Sequence, residues 1–511
     1  MPTNKVNIIK SKLDSLANTV ADKTGASLPL TIDEMKTEIA EYGDEKESLI
    51  NGFITRDMES VDLSKFSGAI GDYAFYYTQK LKTINASKCT AIRFNAFAEC
   101  HALETISFPA CMSIGGSAFC NCTSLNTANF PVCTTIGNYA FQDCFTLNTI
   151  SFPVCTKILS HAFERCFILS KINFPDCTTI GSAAFQDCTI LSAISFPVCT
   201  LISDNAFYNC TSLNTVSFPS CTTIGYAAFG NCATLNTISF PICTVIHGDA
   251  FRGCSTLSSA NFPDCMTIDY GAFNGCSALN TITFPICTLI GGYAFADCTS
   301  LSTVYFPVCT TMDEGAFQSC SALNTISFPA CTTIGGYAFA NCSALSIASF
   351  PSCTSINYYA FTGCSVLNTA NFPVCKIINA YTFASCSALS TINFPMCTSI
   401  HNNAFRNCFA LSTVSFPKCT LISNYAFASC SALNTVSFPI CTVIGSYAFT
   451  NCIALSTISF PACTAVGSSA FMSCTALSTA YFSSYVTIYS RAFAECRALT
   501  TVSLLNCGAI S

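Results

Sequence analysis

A single leucine recurs every 22 residues, from Leu81 to Leu499, without an insertion or a deletion. A fixed period in this range specifies stacked coils of a solenoid and outranks any local preference. The unit is clear from Leu103, Ile106, Phe108, Pro109, Cys111, Ile114, Ala118, Phe119 and Cys122. One such unit cannot bury its own apolar side chains. Stacked units can, by setting Leu on Leu and Phe on Phe.

Each position has a physical reason. Ile106 and Phe108 alternate with Ser107, which is strand periodicity. Pro109 has no N–H for a strand ladder and should end the strand. Cys111 then turns inward as a small apolar residue. Ile114, Ala118 and Phe119 place apolar groups at +4 and +5, which predicts a short helical or 3₁₀ turn on the opposite wall. The predicted fold class is therefore an α/β solenoid, with a parallel β-sheet on one face and short helical or 3₁₀ turns on the other.

The spacing of Leu103, Ile106, Phe108 and Cys111 follows the leucine-rich-repeat pattern. The longer string from Ala118-Phe119 through Cys122 and Leu125 to Phe130-Pro131 resembles the BspA-like, or Treponema-type, leucine-rich repeats over residues 67–511. That resemblance implies the fold and says little about function. The family includes bacterial surface adhesins and proteins encoded by phages and prophages.

Charged residues make up 9% of the chain, and half of the 48 lie in residues 1–88. The repeats must therefore stay soluble through Ser, Thr and Asn. A net charge of −6 gives no reason to expect a nucleic-acid partner. The 39 cysteines fall almost entirely into two columns, from Cys89 and from Cys100, with Cys120 outside both. Both columns face inward by pattern, which predicts buried reduced thiols acting as small hydrophobes. Disulfides between stacked coils are the alternative, since such neighbours lie within bridging distance. No C-x-x-C occurs and His101, His161, His247 and His401 are scattered, so neither a metal site nor a cofactor is expected. No catalytic set stands out, and no run of apolar residues is long enough for a membrane span.

Residues 1–52 are expected to form a small helical docking or oligomerisation segment ahead of the repeats. Val6, Ile9, Leu13, Leu16 and Val20 make an apolar stripe, and Thr31 with Glu34 forms a capping box for a helix over residues 32–41. The stretch from Leu16 to Met35 resembles N-terminal segments of phage and prophage virion proteins. The opening residues lack an apolar core of signal-peptide length. Residues 53–88 read as a degenerate capping repeat, 89–482 as regular repeats, and 483–511 as a degenerate final repeat. In the final repeat Ser483 replaces the proline, Tyr485 the cysteine and Leu504 the phenylalanine. The uncovered last coil invites a partner, either a second copy or another protein.

Outward strand positions form uniform Asn/Ser and Thr columns, suited to solubility, with Tyr305 and Tyr481 as exceptions. The residues before each Ala-Phe vary. The last of them is Tyr at Tyr139, Tyr293, Tyr337, Tyr359, Tyr381, Tyr425 and Tyr447. Tyr among Ser, Gly and Asn is the composition of adaptable binding surfaces. These nine tyrosines are the candidate ligand-binding residues. The expected function is an interaction protein: first, a tail-associated virion fibre or adhesin that meets other virion proteins through its N-terminal segment and a host surface protein or glycan through the repeats. A bacterial cell-surface or secreted adhesin is the alternative, and a structural filament the third.

Overall fold

A computed structural model describes residues 58–510. The expected helical segment 1–52 lies outside the described residues. The described chain forms two compact units. One runs to Cys221 with residues 228–234, and the other comprises residues 222–227 and the chain from Leu235 onward.

In the first unit, strands Ser60–Asp62, Thr83–Asn85, Thr105–Ser107, Thr127–Asn129 and Thr149–Ser151 pair in parallel in chain order. A second parallel ladder joins two-residue strands, from Ala69–Ile70 through Ser113–Ile114 to Leu201–Ile202. Register partners repeat the sequence period, as in Thr105↔Thr127 and Ser113↔Thr135. The second unit repeats the plan, with Thr237–Ser239 to Thr325–Ser327 in one ladder and Val245–Ile246 to Ala465–Val466 in the other.

The interior is built from two phenylalanine columns. Phe97 stacks on Phe119 with centroids 5.2 Å apart and planes 2° apart, while Phe108 stacks on Phe130 at 5.5 Å. Across the columns, Phe119 meets Phe130 edge-on at 6.0 Å and 63°. The second unit does the same with Phe251, Phe262 and Phe273. Both arrangements are favourable for aromatic quadrupoles. These rings are fully buried, as are the column leucines from Leu81 to Leu477 and nearly all cysteines.

Every cysteine among the described residues is a free thiol. The thiols still make hydrogen bonds. The Cys111 Sγ donates to the Ser113 carbonyl, and the Cys122 Sγ donates to the Phe97 carbonyl of the preceding coil, each at 3.2 Å. Burial pushes the Cys111 thiol up to about 12 and the Cys133 thiol up to about 11. Such thiols stay protonated and unreactive at neutral pH.

The wall opposite the first strand ladder corrects the expectation of helical or 3₁₀ turns. No helix occurs among the described residues. Successive β-turns run instead. Ala118, Cys120 and Cys122 donate to the carbonyls three residues back, Gly115, Ser117 and Phe119. The alternate N–H groups of Ser117, Phe119 and Asn121 reach the next coil, at Asn138, Ala140 and Gln142, over 2.7–2.8 Å. The cause is a left-handed residue every four positions, such as Ser117 (φ 52°) and Asn121 (φ 60°). Each one stops helix propagation and turns N–H groups toward the neighbouring coil. The +4/+5 apolar spacing imitates a helix because the turns also bring Ala118 and Phe119 inward.

The last two coils lack the proline, with Ser483 and Leu505 at its position. Thr479–Ile488 and Thr501–Ile510 are ten-residue parallel strands, whereas regular coils carry two short ones. With Ser483 at the proline position the strand runs on, with register shifts against its neighbour between Phe482 and Tyr485 and between Val486 and Thr487. Phe482, Val486 and Ile488 point inward and Tyr485 is 65% exposed. The first coil qualifies this. Ser87 also replaces a proline there, yet Thr83–Asn85 and Ala91–Ile92 remain separate and Cys89 is buried. Neither residue alone decides the break, since the first coil keeps it without a proline and Thr501–Ile510 runs unbroken with Cys507 at the cysteine position.

Candidate functional site

Seven of the nine candidate tyrosines occupy the left-handed position two residues before the inward phenylalanine, with Ala between them in six coils and Thr382 after Tyr381. Their φ values run from 55° at Tyr293 to 60° at Tyr381. That backbone suits Gly, Asn and Asp, which fill other coils at Gly271, Asn205 and Asp249. A tyrosine there costs roughly 1–2 kcal/mol. Ring stacking, worth about 0.5–1.5 kcal/mol per pair, offsets it. Tyr359 lies between Tyr337 (4.7 Å, 3°) and Tyr381 (4.5 Å, 7°). Tyr425 stacks on Tyr447 at 4.8 Å with parallel planes. In the first unit, Tyr139 stacks on His161 at 4.6 Å.

Each ring leans over the same position of the next coil. A Cβ at Gly315 would stand 2.5 Å from the Tyr293 ring, and Gly315 itself has φ +64°. Glycine is therefore required there twice, for conformation and for space. The Tyr293 hydroxyl donates to Glu314 Oε1 at 3.3 Å, and burial followed by the Glu314 charge raises its phenol above the usual value. Burial raises Tyr359 too, with Tyr381 and Tyr337 adding to it.

The structure therefore brings Tyr337, Tyr359 and Tyr381 together, and separately Tyr425 with Tyr447. Tyr293 has Tyr270 as its ring neighbour at 5.6 Å, and in the first unit Tyr139 has His161. Tyr305 and Tyr481 lie on the other wall, 46% and 37% exposed, at the ends of strand registers with Thr283 and Ser327 and with Ser459 and Ser503. Around them the strand face satisfies itself. Ser302 Oγ donates to Asn280 Oδ1 at 2.9 Å, and Asn393 Nδ2 donates to Asn371 Oδ1 at 2.7 Å.

Several surface features escape sequence reading. Tyr358, 45% exposed, meets Tyr337 edge-on at 5.7 Å. The Arg406 guanidinium lies 6.0 Å from the Tyr425 ring centroid. A second left-handed column, four residues after the first, carries a polar ladder in the first unit. There Arg165 makes a bidentate pair with Asp143 at 2.6 Å, and Asn209 donates to Asp187. The signal for that column was present, since Asn, Asp, Gly and Ser recur four residues beyond each tyrosine position. An exposed aliphatic row follows the prolines, with Val132, Val198, Ile242 and Ile440 among its members. No group of three or more His, Cys, Asp or Glu that could hold a metal occurs among the described residues. No helix there is long and apolar enough to cross a membrane.

Family models match the "BspA type Leucine rich repeat region" in six copies, together spanning residues 51–510. The chain belongs to the BspA-type leucine-rich-repeat family. A comparison with curated proteins gave no match. Among solved structures, a leucine-rich repeat protein from Bacteroides ovatus is similar at 24% identity and TM-score 0.46, covering 69% of this chain and 82% of that one. A leucine rich cell surface protein from Faecalibacterium prausnitzii shares 24% identity at TM-score 0.31, over 64% and 83% of the two chains. A Treponema pallidum leucine-rich repeat protein shares 30% identity at TM-score 0.29, over 30% of this chain and 77% of that one. The BspA-type match includes the repeats and leaves residues 1–50 outside it. The likeness of Leu16–Met35 to virion proteins gains no support from these comparisons.

Proposed function

We propose that this BspA-type protein is a non-enzymatic interaction protein of the bacterial cell surface, using its tyrosine-bearing wall to hold a partner. One observation carries the reading. Coils of near-uniform sequence satisfy the strand face internally, while the opposite wall keeps a left-handed column in which tyrosine is retained against its backbone preference. Tyrosine at Tyr337, Tyr359, Tyr381, Tyr425 and Tyr447, where Asn or Gly would suit the backbone with no stacked partner, is what a contact surface requires. Both faces of the Tyr359 ring are taken by its neighbours, so ring edges and hydroxyls are what the wall offers. That argues against sugar stacking and for a contoured polar contact.

The cell-surface reading now stands ahead of the tail-fibre reading. The family match supports the former, and the latter rests on Leu16–Met35 alone. The test uses beads coated with the full chain, applied to epithelial monolayers and to immobilised bacteria. Replacing the five tyrosines by Asn, which suits the backbone, should abolish adhesion. Replacing Tyr305 and Tyr481 should leave it intact. Unchanged adhesion by the five-tyrosine variant would defeat the reading.

A further inference from the structure

Charge is distributed unevenly along the second unit. Asp264, Asp269, Asp297, Asp313 and Glu314 are followed by a stretch, residues 315–494, with no Asp or Glu at all. Its charged side chains are Lys376, Arg406, Lys418 and Arg491, all basic. The whole chain is nonetheless acidic, at −6. The boundary falls within the tyrosine column. Tyr293 touches Glu314, whereas Tyr337 to Tyr447 lie wholly in the acid-free stretch.

Two of the four cations belong to this wall. Arg491 is exposed and occupies the tyrosine column itself, at φ 61°, two coils beyond Tyr447. Arg406 is exposed beside the column, lies over Tyr425, and donates to Asn403 Oδ1 at 3.5 Å. Among the described residues neither arginine pairs with a carboxylate, in contrast to Arg165 on Asp143 in the first unit. The two arginines sit four coils apart, roughly 19 Å at strand spacing. Tyr and Arg are the residue types that dominate binding energy at protein interfaces. An arginine over a tyrosine face keeps its N–H fork free for a carboxylate.

Resting on the reading of the tyrosine wall as a binding surface, we propose that its segment from Tyr337 to Arg491 takes an acidic polypeptide surface. The absence of any carboxylate on residues 315–494 removes repulsion along the approach as far as the Arg491 coil, where Glu495 is paired with Arg497 at 3.1 Å. Arg406 and Arg491 supply two forked carboxylate contacts, and tyrosine edges with Asn and Ser supply the contact area. An acidic polysaccharide offers carboxylates as well, but it would want open ring faces, and the stacked rings have none between Tyr337 and Tyr381.

The test immobilises poly-L-glutamate, polygalacturonate and poly-L-lysine and measures retention of the full chain. Poly-L-glutamate should bind best, with affinity falling as salt rises. The Arg406→Glu, Arg491→Glu pair should weaken that binding by about tenfold or more, as expected for losing one or two charge-assisted contacts. Lys376→Glu with Lys418→Glu makes the same charge change off the tyrosine wall and should leave binding nearly unchanged. Equal binding to polygalacturonate, equal loss in both charge-reversal pairs, or no binding to poly-L-glutamate would each overturn the proposal. The outcomes separate it from the broader reading. A five-tyrosine variant that loses adhesion while poly-L-glutamate fails to bind leaves the wall standing and removes only the acidic partner. A five-tyrosine variant that adheres normally removes both.

Discussion

Raising the pH should unfold this protein over a narrow interval, because its core is lined with thiols that cannot ionise while buried. A free cysteine ionises near about 8.5. Burial holds Cys133, Cys177, Cys331 and Cys463 at about 11 and Cys111 at about 12, and drives Cys122, Cys144 and Cys166 higher still. The folded state therefore keeps protons that the unfolded chain loses. Stability contributed by these neutral thiols is fully present below the unfolded value and falls as pH rises from there toward the folded values. Each such thiol costs about 1.4 kcal/mol per pH unit inside that window. Ten of them cost about 14 kcal/mol across one unit, as much as the whole stability of an ordinary domain. The assay follows ultraviolet thiolate absorbance and far-ultraviolet circular dichroism together through an alkaline titration. Thiolate should appear only as the dichroism is lost, at about pH 9.5–10.5. Full thiolate absorbance at pH 9 with dichroism intact would refute the buried-thiol core.

Further substitutions probe the wall and the coil break. Gly315→Ala should destabilise by about 1–2 kcal/mol, since φ is positive and the Tyr293 ring fills the space; denaturant unfolding that matches the parent would contradict this. Phe295→Ala empties a fully buried ring position between Phe273 and Phe317 and should cost about 3–5 kcal/mol, read as a lowered unfolding midpoint. Pro109→Ser should change stability by less than about 1 kcal/mol, because the first coil keeps its two separate strands with Ser87 at that position; a large loss would show that proline alone makes the break. Tyr359→Asn should cost little, as the lost stacking is offset by relief of a strained backbone, and a loss of unfolding free energy above about 2 kcal/mol would show the ladder to be structural.

The repeat, its inward columns and the thiol core could be read from the sequence because they depend on period and polarity alone. Leu81 to Leu499 fixed the coil length, and parity around Ser107 fixed which strand side chains face in. The back wall was misread because Ala118 and Phe119 satisfy a helical spacing while Ser117 and Asn121 stand in left-handed conformations. Polar residues at four-residue intervals were the available sign. The tyrosine column was legible as a column, but not the use of ring faces by neighbouring rings, which follows from how each side chain leans onto the next coil. Tyr305 and Tyr481 shared a residue type with that column and not a wall. Arg406 gave no sequence signal at all, since its place over Tyr425 depends on contact between consecutive coils.

Hydroxyl-radical footprinting of the full chain, free and bound to the cells it adheres to, tests the central claim most directly. The account predicts protection of Tyr337, Tyr359, Tyr381, Tyr425 and Tyr447 on binding, with Tyr305 and Tyr481 labelled as before. Protection of Tyr305, Tyr481 and the strand-face threonines, with the tyrosine column unchanged, would contradict it and move the binding surface to the sheet.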